Sequence, residues 1–169
     1  GGEPFLALDV VSKIIEFSYE NGLMFDFLMT NGDWWKTEDE LYEKLTLIAQ
    51  KNFDGKIGLS FDVFHAQDIS RIEKFLCACY DTFKDNSCVE IFSVVPKEKE
   101  LSEQDRTLLK EIKTLQKKLN KKYGSVYLNV RRIKQSFESE NTDWNEKHWF
   151  KEDYCQATGN ILYVHTDGN

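Results

Sequence analysis

No run of apolar residues in this chain approaches the roughly 18 that a membrane span requires, and its first residues do not read as a secretory leader. The two absences lead to the expectation of a soluble, cytoplasmic protein that meets no membrane. Positive charge is not in excess either. Lys and Arg number 22 against 29 Asp and Glu, a formal net charge of −7. Neutralising phosphates requires a basic surface, so no nucleic-acid partner is expected. The lysines gathered between Lys110 and Lys122 are interleaved with leucines at helical spacing and read as a solvated helix face. The four cysteines, Cys77, Cys79, Cys88 and Cys155, form neither a CxxC pair nor a self-sufficient four-ligand spacing, so the pattern contains no complete metal site. Cys77 and Cys79 stand two apart on a helical stretch, point in different directions and read as small core residues. No His-x-His pair accompanies Asp62 and His65, which argues against a metal-dependent hydrolase. His65 reads as a loop histidine with a local hydrogen bond.

The chain does have enough length and apolar content for one sizeable core, with 169 residues of which 41% are hydrophobic. Pro4 suits a first helical turn, and the spacing of Leu6, Val10, Val11, Ile14, Ile15 and Ser18 predicts a helix from Phe5 to Glu20 that stops at Asn21-Gly22. Leu23 to Met29 reads as a strand closed by the turn Thr30-Asn31-Gly32. Thr37 with Glu40 forms a capping box before a helix carrying Leu41, Leu45 and Ile48. Asp54-Gly55 then leads into a strand from Ile57 to Val63. Asp68 caps a third helix, with Ile69, Ile72, Phe75, Leu76, Cys79 and Phe83 in helical register, before a strand from Val89 to Val95 that Pro96 ends. Ser102 caps a fourth helix through Leu119 that Gly124 terminates, and Val126 to Val130 reads as a strand. Helix and strand alternate with lengths suited to right-handed crossovers, so the expected fold is α/β with a parallel sheet. Past Arg132 the composition turns polar and aperiodic. Trp144 to Tyr154 reads as a short helix, and Ile161 to His165 as a strand entering an Asp167-Gly168 hairpin turn. A chain that stops within a hairpin and begins without a strand before its first helix is expected to be part of something longer.

Ile57 to His65 is the stretch around which function is best sought. Leu59, Phe61 and Val63 share one strand face, while Gly58, Ser60 and Asp62 share the other. A small, polar second face near a strand end fits a lined cavity of the kind found at the carboxyl ends of parallel strands, or an edge strand with one wet face. Polar groups recur at the other strand ends, with Thr30 and Asn31 on the first, Ser93 on the third, and Asn129 and Arg131 on the fourth. A carboxylate with glycine backbone donors suits an ammonium-bearing ligand, and Arg131 suits a carboxylate or phosphate. Trp34-Trp35 would line a substrate mouth or cover the rim.

Gly1-Gly2-Glu3-Pro4, a helix, a strand ending in Thr30-Asn31-Gly32 and the strand Leu59-Ser60-Phe61-Asp62 resemble, in that order, the middle of a radical S-adenosylmethionine (radical SAM) domain. The resemblance spans about 1–132 and implies a parallel-stranded, partial TIM-like barrel, with four βα units of a six-stranded radical SAM barrel in 1–134. It implies a four-iron, four-sulfur cluster that cleaves S-adenosylmethionine to a 5′-deoxyadenosyl radical. It also implies a small-molecule or peptide substrate and a reductant protein as partners. By the same resemblance Gly1, Gly2 and Glu3 would meet the methionine amino group. Ser60 and Asp62 would face the ribose or the methionine carboxylate. Asn31, Asn129 and Arg131 would lie at strand ends near the ligand. The family's CxxxCxxC loop, expected before Gly1-Gly2-Glu3, is not in this sequence, and Val89 to Val95 lacks the glycine pattern expected for adenine. The segment 135–169, with Cys155, Gly159 and Ile161 to Gly168, is similar to the start of a SPASM-like auxiliary-cluster extension. There Cys155 would be a metal ligand, the other reading being a lone buried cysteine. As a segment the chain is expected to be inactive. The alternative is a non-catalytic binding or scaffold module, and exposed sheet edges would invite a homodimer.

Overall fold

Helix and strand alternate along the chain in the order that the apolar spacing predicts. The computed structural model describes residues 2–63, 65, 67–94, 101–126 and 130–133, which fall within one compact unit, Gly2–Lys134. A 3₁₀ turn, Pro4–Leu6, precedes α1 (Leu8–Glu20), β1 (Phe27–Thr30), α2 (Glu38–Gln50), β2 (Lys56–Ser60), α3 (Ile69–Phe83), β3 (Val89–Val94), α4 (Glu103–Tyr123) and β4 (Val130–Ile133). The four strands form one sheet in the order β1-β2-β3-β4, and every neighbouring pair is parallel. The fold is therefore α/β with a parallel sheet, in which each strand is joined to the next by a helix. Among the described residues no helix is long and apolar enough to cross a membrane.

The helices pack side by side in chain order, α1 on α2, α2 on α3 and α3 on α4. They cover the sheet face that carries Leu28, Ile57, Leu59, Val89 and Ile91. One buried cluster joins these strand residues to Leu41, Leu45 and Ile48 of α2, to Ile72, Phe75, Leu76 and Cys79 of α3, and to Ile112, Leu115 and Leu119 of α4. The ladder register sets Leu28 beside Ile57 and Val89, and Thr30 beside Leu59 and Ile91, so each row lies on one face. The alternate positions, Phe27, Met29, Gly58, Ser60, Glu90 and Phe92, occupy the opposite face. On that face the rings of Phe27 and Phe92 meet edge to face at 5.2 Å. A Cβ on Gly58 would fall 2.2 Å from Met29 Sδ and 3.2 Å from Phe92.

Local capping chemistry fixes the helix starts. Asp68 accepts from the Ser70 N–H at 2.7 Å, and hydrogen bonding from the Ser70 hydroxyl and then from this N–H holds its carboxyl below the usual range. Ser102 and Asp105 form a reciprocal capping box at α4. At α2 the Thr37 hydroxyl accepts from the Glu40 N–H, but the Glu40 carboxylate reaches the N–H of Lys36 at 2.8 Å, one residue before the expected partner. This bond lowers the Glu40 pKa.

Several bounds differ from expectation. The first helix does not begin at Phe5, because Ala7 at φ −120° separates the 3₁₀ turn from α1. Its inward face is Leu8, Val11, Ser12 and Ile15, whereas Leu6, Val10 and Ile14 lie outward, 73%, 52% and 49% exposed. The first strand begins four residues late, at Phe27, and leaves Leu23 and Met24 on the surface. The ladder of β2 ends at Ser60 rather than Val63, although the Phe61 N–H still donates to Phe92 O at 2.9 Å. The fourth strand is displaced most, running from Val130 where the apolar pattern ended it. Val126 is buried in the approach to β4, bonded to Asn120 at the end of α4. The expected helix at Trp144 to Tyr154, the strand at Ile161 to His165, and all of 135–169 lie outside the described residues.

Candidate functional site at the carboxyl rim of the sheet

Glu3 lies before any helix or strand, yet its carboxylate reaches the end of β1. One oxygen accepts from the Thr30 hydroxyl at 2.8 Å and from the Phe5 N–H at 3.3 Å, and the other accepts from the Asn31 N–H at 2.9 Å. The Thr30 hydroxyl in turn accepts from the Gly32 N–H and the Trp34 indole N–H, at 3.0 and 3.1 Å. A residue 27 positions upstream is thus joined to a strand end through one hydroxyl and one backbone amide. Gly2 is exposed, with nothing within 4 Å of the position its Cβ would take. Gly1 lies outside the described residues.

Past β1 the chain turns through Gly32 at φ +68°, where glycine is needed twice over. A side chain would be strained there, and its Cβ would sit 2.7 Å from Leu59 Cδ1. Trp34 then stacks on Phe5 at 4.3 Å, while Trp35 is buried and donates its indole N–H to Gly32 O at 2.9 Å. The two tryptophans lock the loop to the rim. The Asn31 side chain accepts from the Asp33 N–H at 2.9 Å, and the Asn31 backbone carbonyl accepts from Gln67 Nε2. Arg71 of α3 lies over the Trp35 ring at 3.8 Å, pairs with Asp33 and donates to Trp35 O at 2.7 Å. Gln67, Asp33 and Arg71 were not among the sequence candidates. Their partners are 36 to 38 residues away, a separation that leaves no local signature.

At the end of β2, Asp62 is only 2% exposed. Its Oδ1 accepts from the His65 N–H at 3.2 Å and lies 2.8 Å from His65 Nδ1. His65 itself remains on the surface, as a loop histidine with a local hydrogen bond. Ser60 stands in the same row as Phe92 and Arg131, so the register brings Arg131 level with Ser60 even though β4 starts later than expected. Asn129 lies outside the described residues. Ser93 does not join this rim. It occupies the helix-facing row with Ile91, is fully buried, and its hydroxyl has no partner among the described residues. The same end of the sheet carries an open pocket of about 380 Å³ between Val63 and the first turns of α4, bordered by Glu103, Thr107 and Glu111.

Three of the four cysteines lie away from the rim. Cys77 and Cys79 sit in the middle of α3, and Cys88 precedes β3 at the opposite end of the sheet. Burial pushes the Cys79 thiol well above its ordinary value and the Cys88 thiol up to about 12. Neither is a ready thiolate donor. Among the described residues no three His, Cys, Asp or Glu side chains gather as metal ligands. Cys155 lies outside the described residues. Comparison with family models, curated proteins and solved structures found no match.

Proposed function

We propose that the chain is the barrel portion of a radical SAM enzyme and binds S-adenosylmethionine at the carboxyl rim of its sheet. The observation that carries this reading is the meeting of Glu3 with Thr30 and Asn31, at the end of β1 and one strand from Ser60 and Asp62. The segments Gly-Gly-Glu, Thr-Asn-Gly and Ser-Phe-Asp, which carry the family resemblance, thus belong to one end of one sheet. The strand order supports a barrel. Doubly wound sheets reverse direction at a switch point, whereas a barrel runs in sequence, as β1 to β4 do.

The described residues do not fit an iron–sulfur cluster. Cys79 and Cys88 are buried as thiols, and no three ligating side chains gather, so cluster ligation would fall to cysteines outside them. What remains to these residues is binding and positioning. Ser60 and Asp62 would meet the ribose or carboxylate of S-adenosylmethionine, and Arg131 would meet its carboxylate. A small-molecule or peptide substrate and a reductant protein would be partners of the complete enzyme.

A non-catalytic binding or scaffold module is the second reading. It is favoured by the local engagement of the rim carboxylates, since Glu3 and Asp62 both accept backbone N–H groups of their own segment. Isothermal titration of the chain with S-adenosylmethionine separates the two. The proposal expects binding that weakens by about 1–3 kcal/mol in Asp62→Ala and in Arg131→Ala, the usual range for a lost hydrogen bond to a charged group. Circular dichroism would show that each variant folds. Absence of binding at millimolar ligand, or equal affinity in both variants, would refute the site and leave the binding module.

A further inference from the structure

We infer that the outward face of α1 is a self-association surface, and that its occupant is a second copy of this chain. Ten large apolar residues stand exposed among those described, and seven of them, Leu6, Val10, Ile14, Phe17, Tyr19, Leu23 and Met24, belong to α1 and its flanking turns, at 49–89% exposure. Within the helix Val10, Ile14 and Phe17 follow the i, i+4, i+7 spacing of one face, opposite the inward Leu8, Ser12 and Ile15. A helix apolar on two opposite faces is one that is covered on both. On that face the exposed parts of Leu6, Val10, Ile14 and Phe17 amount to roughly 400 Å², about half of the roughly 800 Å² that each partner contributes to a standard interface, which fits a weak, reversible pair.

The copy is favoured by self-complementarity. In a two-fold, antiparallel pair of helices each flank faces the same flank of the partner, so residues pair about a common midpoint. Leu6 and Phe17, Val10 and Ile14, and Asp9 and Lys13 all share a midpoint near residues 11–12. Crossing there sets Leu6 on the copy's Phe17, Val10 on its Ile14, and Asp9 against its Lys13. Asp9 and Lys13 are exposed and form no ion pair among the described residues. The surface is a helix face and leaves the sheet edges out.

Sedimentation equilibrium of the chain between 5 and 200 μM, read against the 19.8 kDa monomer, tests this. The expected result is a reversible dimer that the double variant Val10→Glu/Ile14→Glu abolishes with an unchanged circular dichroism spectrum, since both side chains are about half exposed. Lys13→Glu alone and Asp9→Lys alone should each weaken the dimer tenfold or more. An equimolar mixture of those two variants should recover it, because each charge then meets its opposite. A monomer throughout, a dimer indifferent to the glutamates, or a mixture no tighter than its components would overturn the inference.

Discussion

Removal of the Glu3 carboxylate should loosen the whole amino-terminal rim. Its two shorter bonds, to the Thr30 hydroxyl and the Asn31 N–H, are charge-assisted and span 27 and 28 residues, while the third, to Phe5 at 3.3 Å, is longer and local. Hydrogen bonds to charged groups contribute about 1.5–3 kcal/mol each when buried. Glu3 is half-buried, so water would satisfy part of what Ala leaves open, and the Asn31 amide is not sealed from solvent. Thr30, by contrast, is 3% exposed, and its O–H would lose its acceptor inside the protein. Two bonds near the lower limit, less the share regained by water, give a loss of about 2 kcal/mol for Glu3→Ala. Glu3→Gln keeps one acceptor oxygen but turns an N–H toward a donor, which costs about 1 kcal/mol. Urea titration followed by far-ultraviolet circular dichroism measures both losses. Trp34, stacked on Phe5 and bonded to Thr30, supplies a fluorescence signal from the same place. Combining Glu3→Ala with Thr30→Val should show a coupling near 1 kcal/mol, since the two side chains share one bond. If Glu3→Ala lies within 0.5 kcal/mol of the wild type with an unchanged denaturant slope, the rim is not held by this carboxylate.

Two glycines give opposite expectations from position and from surroundings. A Cβ on Gly55 would meet the Phe25 backbone oxygen at 2.5 Å, whereas on Gly58, inside a central strand, it meets the movable end of Met29, so Gly55→Ala should destabilise by about 1–3 kcal/mol and Gly58→Ala by less, as paired urea melts would reveal. Ellman's reagent at pH 8 should leave Cys79 and Cys88 unreacted in the native chain and label them once urea unfolds it; prompt reaction of either would contradict their burial. Stability should fall in alkali. Burial raises the Cys88 pKa from 9.0 to about 12, and burial with the Asp81 hydrogen bond raises Tyr42 from 10.0 to about 12, so the native state holds protons that the unfolded chain has released. The contribution is complete below pH 9 and is lost between pH 9 and 12, and Cys88→Ala should flatten that decline in the urea midpoint.

Helix starts and the inward stripes of α2, α3 and α4 were legible in the sequence because caps and apolar spacing act within a few residues. Thr37, Asp68 and Ser102 cap where they were read, and Leu41, Leu45, Ile72, Phe75 and Ile112 point to the core. The strands were legible as existing but not in their bounds. Apolar residues such as Leu23 and Val126 match a strand pattern wherever they stand, while the ladder runs only where a neighbour offers its backbone groups. For α1 the spacing left two apolar faces to choose from, and the packing against α2 and the Trp34 loop selected Leu8, Ser12 and Ile15.

The rim divides in the same way. The sequence by itself determined which polar residues stand near strand ends, and a local hydrogen bond at His65 could be read from it, although its partner, Asp62, could not. Only the tertiary structure decided that Glu3 reaches Thr30, that Gln67 and Arg71 hold the loop after β1, that Arg131 shares a row with Ser60, and that Ser93 turns toward the helices. The physical reason is the range of the forces. Capping and periodicity are settled by neighbours along the chain. Register, facing and long-range hydrogen bonds are settled by whichever strand lies alongside, and the sequence does not state this at any single position.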